Sequence, residues 1–223
     1  MIKKNINFSI AIDGSSASGK TTASRFLSKK FKLKHLSSGK LYRYVALKII
    51  ENNYKYNKKF ISNQSKKITL NKLNNKRLYS PQVTKLSSII PKKKYVRKCL
   101  KEFQLDFIKN NRQVIIEGRD IASKIMPKAD LKIFFKCSIK EKARRRLNEF
   151  KKKNKNITLS EVEKSLKLRD FSDKNRKESP LLFVKGAVLV DTTNLTLKQM
   201  KSKIVKLVRN RIKQKIDGNI QRT

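Results

Sequence analysis

Nine consecutive residues carry the clearest chemistry in the chain: Gly14-Ser15-Ser16-Ala17-Ser18-Gly19-Lys20-Thr21-Thr22. Glycines at both ends of the turn let backbone N–H groups point inward around phosphate oxygens. Lys20 is placed to reach terminal phosphates, and the Thr21 hydroxyl suits Mg²⁺. The segment leaves an apolar stretch, Phe8 to Asp13, and runs into a helical pattern, so a helix N-terminus adds partial positive charge. This spacing predicts a loop that holds the phosphates of a nucleotide such as ATP. By itself it does not choose among kinases, ATPases and GTPases, although no Asn-Lys-x-Asp guanine motif is present.

Other charged groups stand where a second anion could be held. Ser38-Gly39-Lys40-Leu41-Tyr42-Arg43 follows a short apolar segment, and Glu117-Gly118-Arg119-Asp120 follows a strong strand pattern. Arg169, Asp173 and Arg176 are spaced i, i+4 and i+7, which predicts one helix face. Arg144, Arg145 and Arg146 lie in a helix whose start, Ser138-Ile-Lys-Glu141, has capping-box spacing. Each has an ordinary structural explanation: a helix cap with a surface arginine, a salt-bridge ladder, a solvated basic face. Several arginines around a phosphate loop nevertheless suit phosphoryl transfer, because guanidinium groups stabilise charge on the transferring group.

The elements that must position these residues alternate. Strand patterns occur at Phe8–Asp13, Lys34–Leu36, Gln113–Glu117, Leu131–Lys136 and Ala187–Asp191. Helical patterns occur at Lys20–Phe31, Gly39–Asn53, Val83–Ile90 and Lys92–Lys109, and after the capping signals at Ser138, Thr158 and Thr196. Strands separated by helices predict an α/β fold with a parallel sheet covered on both faces, ligands binding beyond the carboxyl ends of its strands. Residues 52–80, rich in Asn and Lys, read as a small irregular insert. Lys151–Asn156 reads as a flexible polar loop and residues 217–223 as a frayed tail. One domain spanning 1–223 accommodates all of this.

Composition narrows the class. The 223 residues carry 58 Lys+Arg and 16 Asp+Glu, a formal charge of +42. Such charge fits a polyanion partner. It also fits a bias toward Lys, Ile and Asn, and Lys is spread through nearly every segment, so no specific nucleic-acid partner is expected and only weak nonspecific binding. No apolar stretch approaches the roughly 20 residues that cross a bilayer. Cys99 and Cys137, with His35 alone, make neither a disulfide framework nor a metal site, and read as reduced residues of a cytoplasmic protein. His35 reads as structural.

Taken together, the ordered blocks resemble bacterial cytidylate kinases. They are Ile-Asp-Gly-x4-Gly-Lys-Thr, Ser38-Gly-x-x-Tyr42-Arg43, Glu117-Gly-Arg-Asp-Ile121, Ala129-Asp-Leu-Lys-Ile-Phe134, Ala143-Arg-Arg-Arg146, Arg169-Asp with Asp173 and Arg176, and Asp191-Thr-Thr-Asn-Leu195. The resemblance runs from about Ile10 to about Val208. It implies a three-layer P-loop kinase fold with a short insert for the nucleoside monophosphate and a short lid at 144–160. It implies ATP and Mg²⁺ as cofactors, held by Gly14 through Thr22 with Thr21 toward the metal, and CMP and dCMP as substrates of a monomer. Ser38, Arg43, Ser88, Arg97, Arg119, Asp120, Arg169, Asp173 and Arg176 would form the CMP pocket. There Arg43, Arg119 and Arg176 would grip the acceptor phosphate, and Arg169 and Asp173 the ribose. Lys20, Arg119 and Arg176 would carry catalysis, Arg144 to Arg146 the lid, and Asp191 to Leu195 would border the adenine.

The chain departs from that pattern in places. Ser37-Ser38-Gly39 stands where the family usually has Asp-Thr-Gly or Asp-Ser-Gly, and Lys40 replaces a small residue. Ala122-Ser123 stands where Gly-Thr is common, and the 52–80 insert is shorter than the family's small β-sheet subdomain. The short insert bears on CMP affinity or base selectivity, and the missing carboxylate at Ser37 on the positioning of Mg²⁺ or the acceptor. The alternatives are another phosphate-loop small-molecule kinase, or a basic nucleic-acid-binding protein with a vestigial loop.

Overall fold

The computed structural model describes residues 6–151 and 157–220. A five-stranded sheet is formed by β1 (Phe8–Gly14), β2 (Lys34–Ser37), β3 (Gln113–Gly118), β4 (Leu131–Lys136) and β5 (Ala187–Asp191), in the order β2-β3-β1-β4-β5. β1 pairs in parallel with β3 and β4, and β4 with β5. The five strands match the predicted ones to within a residue or two. β1 is central because Phe-Ser-Ile-Ala-Ile is almost wholly buried, as a strand covered on both faces must be.

The chain divides into two compact units. Among the described residues the first comprises 6–36, 112–151, 157–175 and 179–220, and the second 37–111 and 176–178. In the first, Phe8, Ile10 and Ile12 of β1 pack with Ala23, Leu27 and Phe31 of α1 (Lys20–Phe31). Met200, Ile204 and Val208 of α8 (Leu197–Ile220) join them, spaced i, i+4, i+8 on one stripe. α6 (Ile139–Lys151) and α7 (Leu159–Asn175) share a small cluster of Ala143, Val162 and Leu166.

The second unit is helical: α2 (Ser38–Glu51), α3 (Lys58–Lys66), α4 (Pro81–Ile89) and α5 (Lys94–Lys109), with 3₁₀ turns at Lys72–Asn74, Lys76–Tyr79 and Ile90–Lys92. It is wider than the 52–80 insert, and it gives that insert more order than the sequence does. Asn57 caps α3 by accepting a hydrogen bond from the Phe60 N–H at 2.9 Å, and Ile61 is fully buried. Only two apolar residues, Phe60 and Ile61, lie within α3, too few to show a period.

Two further expectations change. α7 ends at Asn175, so Arg169 and Asp173 lie on the helix while Arg176 stands one residue beyond it and falls in the second unit. α8 continues to Ile220, past Ile216 where the sequence reads as a tail. Residues 221–223 of that tail, and residues 152–156 of the lid and its polar loop, lie outside the described residues.

Candidate active site

Register builds the site of the first unit. Asp13 stands opposite Gly118 and Gly14 opposite Phe135, so the segments after β1 and β3 leave the sheet side by side. Gly14 is required sterically: a Cβ there would sit 2.5 Å from the Phe135 carbonyl oxygen. Gly19, at φ +90°, and Ala17, at φ +56°, take left-handed conformations that curl the loop into the start of α1. The Ser18 hydroxyl and the Lys20 ammonium both donate to the Ser15 carbonyl, each at 2.9 Å. Burial pushes the Lys20 pKa down to about 7, helped by the cations Arg119 and Arg169 and opposed by Glu117 and Asp173. A buried ammonium in this position calls for an anion beside it.

The β3 end supplies the rest. The Thr21 hydroxyl donates to both oxygens of buried Glu117, at 2.8 and 3.0 Å. A hydroxyl beside a carboxylate suits Mg²⁺, which takes one or two protein oxygens and keeps several waters. Among the described residues no cluster of three acidic, His or Cys side chains could hold a metal alone. A metal here would therefore depend on nucleotide phosphates as well as on Thr21 and Glu117. Arg119 donates from Nε to Asp173 at 2.8 Å and from a terminal nitrogen to the Ser16 hydroxyl at 3.0 Å. The predicted Arg119 and Asp173 thus form an ion pair against the phosphate loop. Asp120 is buried next to them.

A brace holds this turn. The Asp13 carboxylate accepts the Ile121 and Ala122 N–H groups at 2.9 and 2.7 Å, at the head of a π-helical turn, Ile121–Ile125. Burial raises its pKa to about 6 against those two bonds.

The three arginines expected in a lid divide. Arg145 donates to the Thr192 carbonyl at 2.6 Å and its hydroxyl at 3.1 Å, and that hydroxyl donates to the Ser18 carbonyl at 3.0 Å. This links α6 and the Asp191–Leu195 segment to the phosphate loop. Arg145 also pairs with Glu141 of its own helix, at 2.7 Å, whereas the ion pairs of Arg144 and Arg146, to Glu141 and Glu149, lie within that helix. The group of α6 closest in kind to Lys20 is one the sequence reading passed over. Buried Lys142 pairs with Asp170 of α7 and lies 3.3 Å from the Ser15 hydroxyl. Lys142, Glu117 and Asp13 share one reason for being missed. A lone charged residue inside a predicted helix or strand looks like solvated surface until tertiary structure buries it. Only the position of Glu117, one residue before Gly-Arg-Asp, hinted at its role.

The second unit holds four of the remaining predicted residues and Arg176. Arg43 donates to the Leu78 carbonyl and the Thr84 hydroxyl, both at 2.8 Å, and lies over the Tyr79 ring. Arg97 lies over the Tyr42 ring at 5.9 Å. Ser38 is buried at the first position of α2. Ser88 is exposed, its hydroxyl donating to the Lys85 carbonyl at 2.6 Å, whereas its neighbour Ser87 is buried. Arg176 is half-buried.

A phosphate loop with a desolvated lysine stands beside Arg119, which follows β3 and pairs with Asp173 of α7, an arrangement that suits phosphoryl transfer. Comparison with known proteins decides the family. The cytidylate kinase family model matches residues 10–210. The chain belongs to the cytidylate kinase family. A cytidylate kinase of Fusobacterium nucleatum is 40% identical over 210 residues, covering 87% of this chain and 94% of that protein. Those of Thermotoga petrophila and Mycoplasmoides gallisepticum are 34% and 32% identical, covering 93% and 95% of this chain and 99% and 98% of theirs. A solved Thermus thermophilus protein shares the fold, with a TM-score of 0.54 at 14% identity over 92% of this chain and 98% of that one. The expected α/β P-loop kinase fold is the one observed. Both cysteines are free, and among the described residues no helix is long and apolar enough to cross a membrane.

Proposed function

We propose that the protein transfers the γ-phosphoryl group of ATP to CMP or dCMP, giving ADP and CDP or dCDP, in the cytoplasm. The observation that carries this reading is the Arg119–Asp173 pair, bonded to Ser16 of a phosphate loop whose lysine is buried against the Ser15 carbonyl. Family membership supplies the acceptor class. Catalysis is positioning and charge stabilisation, with little covalent work by the protein. Backbone N–H groups of residues 15–19 cradle the donor phosphates. Lys20 leaves the Ser15 carbonyl for a phosphate oxygen, and Arg119 neutralises charge on the transferring group. Mg²⁺ would be held by Thr21 and Glu117 and would offset phosphate charge.

On the acceptor side, Arg43, Arg119 and Arg176 grip the CMP phosphate and Arg169 and Asp173 hold the ribose. Ser38, Ser88, Arg97 and Asp120 read the base. Arg145 takes the donor-facing lid role. The test is ADP release from ATP and Mg²⁺ with CMP, dCMP, UMP, AMP, GMP and TMP in turn. Turnover confined to CMP and dCMP is the expected result. Turnover spread over UMP or AMP would leave a kinase of relaxed selectivity, and none with any acceptor would overturn the reading.

A further inference from the structure

The charge of this chain is less evenly spread in three dimensions than along the sequence. α8 carries eight lysines and arginines against one acid, Asp217, and α1 carries Lys20, Arg25, Lys29 and Lys30 with no acid at all. Both helices belong to the first unit and pack on each other. Two adjoining grooves run between them, of about 590 and 420 Å³. They share Lys30 and Arg209. Lys201 and Lys206 line the first and Lys213 the second. Among the described residues no carboxylate pairs with Lys30, Lys206, Arg209 or Lys213; Asp217, at the end of the second groove, makes no ion pair with them.

The rotation of α8 that aims these cations at the groove is held from its other side. Lys215 donates to the Asp130 carboxylate and Arg211 to the Asp130 carbonyl, both at 2.5 Å, while the Asp130 carboxylate also accepts the Ser9 N–H at 2.8 Å. The groove floor is apolar, with Phe26 and Val205 in the first part and Phe31 and Ile212 in the second. The Lys201 ammonium lies 5.1 Å from the centre of the Phe26 ring.

Cations on two walls over an apolar floor match a flexible polyanion that also carries flat apolar faces. We propose that the α1–α8 groove is a sequence-independent docking site for single-stranded nucleic acid. Phosphates meet Lys30, Lys206, Arg209 and Lys213, and bases lie toward the floor. From Lys201 to Lys213 the helix advances about 18 Å at 1.5 Å per residue, room for about three nucleotides. A duplex keeps its base faces stacked inside and has none to lay on an apolar floor, whereas a single strand exposes them. Lys30 lies about 15 Å along α1 from Lys20, so a bound strand leaves the phosphate loop open. The proposal does not depend on the kinase reading.

The experiment uses the full chain and a fluorescein-labelled oligouridylate of about 20 nucleotides, with affinity read by anisotropy across a range of NaCl concentrations. Each phosphate neutralised contributes about −0.7 to the slope of log affinity against log salt. The triple variant Lys206→Gln, Arg209→Gln, Lys213→Gln is expected to flatten that slope by about 2 and to weaken binding by about tenfold or more. A charge-matched control, Lys58→Gln, Lys59→Gln, Lys66→Gln on α3, is expected to lose less than about threefold. Unchanged (d)CMP kinase turnover, or unchanged thermal melting if the wild type has no turnover, shows that both triples are folded. Equal losses in the two triples would mean diffuse charge and overturn the site. So would a groove triple that binds the oligonucleotide normally but no longer binds phosphatidylglycerol vesicles, which would make the groove a membrane contact.

Discussion

The charged residues of the first unit and those of the second are held in different ways. Around the phosphate loop, side chains hold one another: Thr21 on Glu117, Arg119 on Asp173 and Ser16, Lys142 on Asp170, Arg145 on Thr192. Most of these groups are buried or half-buried, and strand register places them. In the second unit, Arg43 bonds a backbone carbonyl and a threonine, Arg97 faces a ring, and Ser88 bonds its own helix at the surface. The groups around the phosphate loop constrain one another side chain to side chain, whereas Arg43 is held by a carbonyl, a hydroxyl and a ring of neighbouring segments, and Ser88 by its own helix. A network tolerates little change, so the loss of one member should cost much. Changes in the second unit should affect one substrate at a time.

The largest effect expected from this contrast is at Lys20. Lys20→Ala should lower kcat by about 10²-fold or more, as loss of one preorganised charge donor does. Turnover near wild type in an ADP-release assay would remove Lys20 from the mechanism. Arg176→Ala, in the second unit, should raise the KM for CMP by about tenfold and leave the KM for ATP within about twofold, in keeping with one lost charge-assisted bond. Equal losses on both substrates would make Arg176 structural.

Lys142 sharpens the comparison because it is buried beside the loop yet lies outside the nine-residue motif. Lys142→Met should weaken ATP more than ADP, by about fivefold to tenfold, and Lys142→Arg should recover most of the difference. A fall in melting temperature with the ATP-to-ADP preference intact would reduce Lys142 to a staple between α6 and α7.

A pH experiment tests Lys20 without mutation. Its pKa is lowered to about 7 in the free protein. Below that value Lys20 is charged before ATP arrives, and ATP affinity should be flat. Above it the ammonium must be regained on binding, so affinity should fall by up to about tenfold per pH unit, with proton uptake visible by calorimetry in buffers of different ionisation heat. The same shift acts on stability. Between about 7 and the ordinary lysine value of 10.5 the unfolded chain binds the extra proton, so this group favours the folded state increasingly as pH rises. An affinity unchanged from pH 7 to 9 would show that Lys20 keeps its proton throughout. The smallest effect belongs to Arg144, exposed and paired within its own helix. Arg144→Ala should change kcat and both KM values by less than about twofold. A tenfold loss would place it with Arg145 at the donor.

The sequence by itself determined the strands, most helices, the phosphate loop and the blocks that mark the family. These are local facts. An apolar run of five residues must be buried, a glycine pair with a lysine shapes a loop, and capping residues set helix starts. The Arg119–Asp173 contact could be guessed only through resemblance, since 54 positions separate the pair. What tertiary structure alone decided was burial and pairing. It turned Glu117, Lys142 and Asp13 from unremarkable charges into parts of the loop's support, and set Arg176 outside the helix face its spacing suggested. It separated Arg145 from Arg144 and Arg146, three identical neighbours whose roles depend on which way α6 faces. It also gathered evenly spaced lysines into a groove between α1 and α8. The physical reason is common to all of these. A charge acquires its energetic weight from how much water it loses and what stands opposite it, and both depend on segments far away in the chain.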